Sequence, residues 1–104
     1  MSIRLAVFDL DGTLLNSQMQ IQRQSVEAIR WAMSQGVSVM LASGRHHGAI
    51  FPYWKVLGLE LPVICCNGAC LFDFNTNEPA SHTPLNKPQA LRVLELVRKY
   101  RINC

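Results

Sequence analysis

Ile3-Arg4-Leu5-Ala6-Val7-Phe8, followed at once by Asp9-Leu10-Asp11-Gly12-Thr13, is the stretch on which the fold turns. Residues 3–8 form a short, nearly continuous apolar run. Such a run predicts a strand buried on both faces, and strands of that kind belong to parallel sheets. The chain then turns at Gly12, leaving Asp9 and Asp11 at the carboxyl end of the strand.

The pattern repeats outward. Residues 18–24 read as a solvated excursion that leads into a helix over 23–35, where Val26, Ile29 and Met33 make an apolar stripe. Gly36 is a left-handed stop, and Val37 to Ala42 is a second buried strand. Strand, helix and strand within about forty residues make a right-handed β-α-β unit. Ser43-Gly44 closes that strand. A helix is expected over 46–57, kinked or restarted at Pro52, which lacks the amide. Phe51, Tyr53 and Trp54 read as packing residues. Leu61 to Cys65 is a third strand, ended by Asn67-Gly68, and residues 69–74 and 79–83 form a hairpin. Asn86 caps a last helix with Pro88 in its first turn; Ala90, Leu94 and Val97 are expected to face inward.

Composition narrows the function classes. With 104 residues the chain makes one small domain. It is 49% hydrophobic and only 16% charged, against about 25% charged in an ordinary soluble domain. Such a chain collapses instead of staying disordered. No apolar run approaches the roughly 18 residues of a spanning helix, so no membrane role is expected. The short run before Asp9 is interrupted by that charge and is not expected to act as a signal peptide. The net charge is +3 with ten scattered basic residues, which argues against nucleic acid as a partner. Cys65, Cys66, Cys70 and Cys104 suit a reduced, cytoplasmic protein. Cys65 and Cys66 would point to opposite faces of a strand, so the cysteines read as small hydrophobes and not as metal ligands.

The chemistry gathers at the strand ends. Like charges as close as Asp9 and Asp11 raise each other's pKa and call for a cation between them. Open α/β sheets bind ligands at the carboxyl ends of their strands. Magnesium takes carboxylate and carbonyl oxygens, and a carboxylate can carry a phosphoryl group. Asp-x-Asp-Gly is also a plain turn signal. Ser43-Gly44-Arg45 offers a hydroxyl, an open backbone amide and a helix start, which together cradle an anion. Asn67-Gly68 joins the same rim.

These residues carry a resemblance. Phe8 to Leu15 resembles the first motif of the haloacid dehalogenase superfamily of phosphatases, and Ala42-Ser43-Gly44-Arg45 its second. Cys66-Asn67-Gly68-Ala69 is similar to the segment after the third strand in the Cof-type branch. Within that branch, residues 44–50 and 64–68 look like those of bacterial pyridoxal phosphate phosphatases. The resemblance implies an α/β fold, a Rossmannoid three-layer sandwich. It is present here in part, as three parallel strands, a β-hairpin and the first helix of a cap. Residues 1–84 would be core and 85–104 the start of the cap. Asp9 would be the nucleophile and Asp11 the general acid and then base. Mg²⁺ would sit on the Asp9 carboxylate and the Asp11 carbonyl. The Leu10 amide, the Ser43 hydroxyl and the Gly44 amide would hold phosphate, and Thr13 would orient the acidic pair. Arg45, His46 and Asn67 are candidates for substrate contact, with Arg45 alternatively anchoring the loop through a salt bridge. The implied substrate is a small phosphomonoester, pyridoxal 5′-phosphate or a sugar phosphate.

The departures point elsewhere. The family's site lysine and its later acidic motif are absent, since Lys55, Lys87 and Lys99 lie on helices or at a helix start. The chain is therefore expected to be the amino-terminal part of a phosphatase, inactive alone and prone to self-association through an uncovered sheet. The alternative is a non-catalytic remnant or interaction module that binds magnesium and phosphate weakly or pairs with a second chain.

Overall fold

Three strands pair in parallel, as the apolar runs predict. In the computed structural model, which describes residues 2–102, β1 (Leu5–Asp9), β2 (Ser38–Ala42) and β3 (Val63–Cys65) lie side by side. β4 (Cys70–Asp73) and β5 (Glu78–His82) continue the sheet antiparallel, giving the order β1-β2-β3-β4-β5. Two helices fill the crossovers, α1 (Arg23–Ser34) and α2 (His47–Leu57). A third, α3 (Lys87–Lys99), follows the hairpin, with the Asn86 side chain accepting from the Gln89 amide at 2.9 Å as the expected cap.

Register assigns the faces. Phe8 pairs with Leu41, Val63 with Phe72 and Cys65 with Cys70. This face is covered, because α1 packs on β2 and α2 on β3. Val39, Leu41, Val63, Cys65 and Phe72 join Ile29, Ile50 and Leu57 in one core. The α/β sandwich is thus present as its sheet and one helical layer. No helix among the described residues is long and apolar enough to cross a membrane.

Four expectations change. β1 is not buried on both faces: Leu5 and Val7 are each 48% exposed, because β1 is the sheet's edge and both crossover helices lie on the other side. The strand starts at Leu5, leaving Ile3 exposed. α2 runs unbroken through Pro52, so no second segment begins there. The stripe of α3 does not face inward, since Leu94 is 59% exposed and no residue of α3 is buried. Its local signals form the helix, but the chain leads it away from the sheet, within extents of 52 × 30 × 27 Å. Cys65 is buried, Cys66 is exposed and Cys70 is half-buried; Cys104 lies outside the described residues.

Candidate active site

Asp9 is the last residue of β1 and lies opposite Ala42, the last of β2. Beyond it the chain makes one wide turn, closed where the Leu15 amide donates to the Leu10 carbonyl at 3.0 Å. Gly12 supplies the turn's positive φ of 76°. Leu10 is fully buried and pins the turn to the core. Its amide, expected to face phosphate, donates here to Asp9 Oδ1 at 2.9 Å.

The two carboxylates have different surroundings. Arg45, just past the end of β2, grips Asp11 with a two-pronged ion pair. Nε donates to Oδ2 at 2.9 Å and Nη2 to Oδ1 at 2.7 Å. Such fork-to-fork pairs are the strong, directional kind. The Arg45 hydrogen bond holds the Asp11 carboxyl below its usual range, and Asp11 in turn raises the guanidinium. This overturns the expectation that proximity to Asp9 would raise Asp11. The cation that the acidic pair called for is, at Asp11, an arginine. Arg45 thus serves as the loop's salt-bridge anchor, and its guanidinium also lies 5.6 Å from the centroid of the Tyr53 ring.

The rim beside it is tightly tied. Ser43 is buried, and its Oγ accepts the Arg45 amide at 3.0 Å. The Ser43 amide donates to the Ile64 carbonyl at 2.8 Å, and its carbonyl accepts the Asn67 amide at 3.3 Å. Cys66 donates to the Arg45 carbonyl at 3.0 Å. A Cβ on Gly44 would stand 2.7 Å from Asn67 Oδ1, so a side chain at 44 requires the exposed Asn67 side chain to move aside. Cys66 and Asn67 hold φ near +53° and +56° in this turn.

His46 is placed as a cap: its Nδ1 accepts the Gly48 amide at 3.2 Å at the start of α2. His47, read with His46 as a helix-start residue open to substrate contact, and Tyr53, read as packing, each make a contact that sequence did not reveal. His47 stacks flat on Phe72, with centroids 3.6 Å apart and planes 2° from parallel. Burial there pushes its pKa down, with His46 adding to the effect. Tyr53 donates to the Met19 carbonyl at 2.8 Å, tying down a small hairpin in which Leu15 bridges Ile21. Neither leaves a local signal, because each joins segments far apart in the chain.

The oxygens suit a hard divalent ion in part. The Asp9 carboxylate and the Asp11 carbonyl are the donor types magnesium takes when water and a substrate phosphate complete its shell. Among the described residues no group of three or more His, Cys, Asp or Glu side chains is arranged to hold an ion by itself. Lys55 lies on α2, and Lys87 and Lys99 on α3, so none of them directly follows a strand.

Known proteins share this fold. The family model for haloacid dehalogenase-like hydrolases matches residues 6–104. Pyridoxal phosphate phosphatase YbhA of Escherichia coli K12 is 35% identical over 103 residues, covering 99% of this chain and 38% of the relative. Phosphatase YwpJ of Bacillus subtilis is 34% identical over 92 residues, covering 88% of this chain and 32% of the relative. A haloacid dehalogenase-like hydrolase from B. subtilis superposes with a TM-score of 0.82 at 31% identity, over 95% of this chain and 34% of that one. One from Bacteroides thetaiotaomicron gives 0.83 at 28% identity, over 94% and 38%. The chain therefore spans only about a third to two fifths of the length of these relatives. With the family model matching nearly the whole chain and a relative 35% identical over 99% of it, the chain belongs to the haloacid dehalogenase-like hydrolases.

Proposed function

We propose that these residues form the nucleophile half of a magnesium-dependent phosphomonoesterase that works through an aspartyl-phosphate. One observation carries the reading: adjacent strand ends bring the Asp9 and Asp11 carboxylates beside the Ser43-Gly44 loop, with Arg45 clamped on Asp11. Asp9 attacks phosphorus in line, and the bond from phosphorus to the leaving oxygen breaks. Asp11 gives that oxygen a proton and later takes one from the water that hydrolyses the acyl-phosphate. Arg45 keeps Asp11 ionised, the form that accepts a proton. The acid form requires Arg45 to let go, and the phosphate of an arriving substrate gives the guanidinium a second anion to grip. The Leu10 amide, the Ser43 hydroxyl and the Gly44 amide turn to the phosphate oxygens, Thr13 orients the acidic pair, and His46 and Asn67 flank the leaving group. Magnesium, held by the Asp9 carboxylate and the Asp11 carbonyl, would neutralise charge on the transferring group.

Pyridoxal 5′-phosphate is the substrate placed first, and a sugar phosphate second. Support comes from the 35% identity to the E. coli phosphatase named for that compound. The bare apolar stripe of α3 supports reading residues 85–104 as the start of a cap. In the full reading frame that encodes the chain, phosphate release from pyridoxal 5′-phosphate in magnesium is expected to fall about a thousandfold or more with Asp9→Asn. An undiminished rate sinks the nucleophile assignment.

A second reading, a non-catalytic module, is favoured by one observation: all three lysines lie on α2 and α3, and none directly follows the end of a strand. It predicts no turnover by the 104 residues alone. A rate from them that disappears with Asp9→Asn ends it.

A further inference from the structure

Three thiols meet beside the Ser43-Gly44 loop. Cys65 ends β3, Cys70 opens β4, and the two are direct partners in antiparallel register. Cys66 begins the turn between them. The Cys65 Sγ lies 3.5 Å from the Cys70 carbonyl and interacts with the thiols of both Cys70 and Cys66. Among the described residues no three His, Cys, Asp or Glu side chains are arranged to hold a metal ion, which leaves sulfur–sulfur chemistry. Directly opposed residues of antiparallel strands have Cα atoms about 4.5–5.5 Å apart. That is inside the roughly 4.4–6.8 Å window of a disulfide.

Access differs between the partners. Cys65 is fully buried. Cys70 is half-buried and lines an open groove of about 250 Å³ together with Cys66, His46 and His82. An oxidant entering that groove therefore meets Cys70 and Cys66, and not Cys65.

We propose that Cys65 and Cys70 are a reversible thiol-oxidation site, closing to a cross-strand disulfide when the protein meets a hydroperoxide. The Cys70 thiolate attacks one peroxide oxygen. The O–O bond breaks, an S–O bond forms and the sulfur is oxidised by two electrons to a sulfenic acid, as the peroxide is reduced to water. The Cys65 sulfur then attacks the Cys70 sulfur. The S–S bond forms, the S–O bond breaks, and the hydroxyl departs as water with the Cys65 proton. In sum, two thiols and one hydroperoxide give one disulfide and two molecules of water, or water and an alcohol from an alkyl hydroperoxide. Burial, seconded by the neighbouring thiols, pushes the Cys65 thiol up to about 12. It therefore stays protonated at neutral pH, so Cys70 and not Cys65 opens the reaction, and Cys65 gives up its proton only as it closes the bond.

The inference does not rest on the phosphatase reading, and its test reads only sulfur. The 104-residue chain is treated with hydrogen peroxide, remaining thiols are alkylated, and the protein is cut with trypsin. The peptide over residues 56–92 carries all three thiols apart from Cys104. It is expected to lose about 2 Da, one disulfide's worth of hydrogen, to keep one alkylated cysteine, and to regain the mass with dithiothreitol. Cys66→Ser should keep the loss, while Cys65→Ala and Cys70→Ser should each abolish it. Two variants are used because Cys65 is in the core, whereas Cys70 is half-buried. In strong guanidinium the rate of closure should fall about tenfold or more, because the strands no longer hold the sulfurs together. The proposal is overturned by a loss that persists in Cys65→Ala, by one that requires Cys66, by an unchanged rate in denaturant, or by no loss in the unmodified chain.

Discussion

One sheet has two faces of the same apolar kind, and only one of them is covered. Leu41 and Val63 are fully buried beneath α1 and α2, while Leu5 and Val7 remain about half exposed on the opposite side. All four are apolar strand residues, so residue type does not separate them. What separates them is the side to which both crossover helices go. Alternation along a strand decides which residues share a face, and the connections decide whether that face is buried.

The largest effect should come from the covered face. Leu41→Ala is expected to lower unfolding free energy by about 2–5 kcal/mol, read as a lowered midpoint in urea. Val7→Ala should stay within about 0.5 kcal/mol. Equal losses at the two positions would break the comparison. A smaller effect is expected on α3, which resembles the bare face in having no fully buried residue. Asn86→Ala should cost about 1 kcal/mol of local helix stability, seen as reduced far-ultraviolet helicity with the urea midpoint of the sheet unchanged.

A pH effect sharpens the same contrast. Burial against Phe72 lowers the pKa of His47 from its ordinary 6.5. The unfolded chain therefore takes up that proton first as pH falls. The stability due to a neutral His47 is fully present above the unfolded value and is lost as pH drops towards the folded one. A melting temperature that declines through that window should level out in His47→Phe, which keeps the stack and cannot titrate. The smallest change in stability is expected from Val7→Lys, within about 0.5 kcal/mol. Its effect should appear in sedimentation instead: concentration-dependent association of the parent chain should weaken, and association unchanged by the lysine would assign contact to another surface.

The sequence was most legible where one short segment decides the outcome. The apolar run before Asp9, the turn at Gly12, the Asn86 cap and the hairpin from Cys70 to His82 each rest on neighbours in the chain. What escaped depends on pairing between distant segments. Arg45 reaches Asp11 across 34 positions because register sets Asp9 beside Ala42. Local reading left two roles open for that arginine, and it missed that the arginine reverses the shift expected at Asp11. The same limit explains β1 and α3: their apolar patterns were plain, but the absence of a covering layer is a property of the whole arrangement. Of the site, its residue types were readable and their partners were not.

The closeness of Gly44 to the Asn67 side chain couples the two positions in any course of change. A Cβ at 44 overlaps the Asn67 amide where it now lies, and that exposed side chain must swing aside to admit it. A lineage that first shortens 67 to glycine or alanine avoids the displacement, while the opposite order bears it for a time. The history of the pair thus leaves a trace in the cost of its intermediate, set by the movement of one side chain. Gly44→Ala made alone and made on an Asn67→Gly background would show this directly, as a penalty in the first that is largely absent in the second.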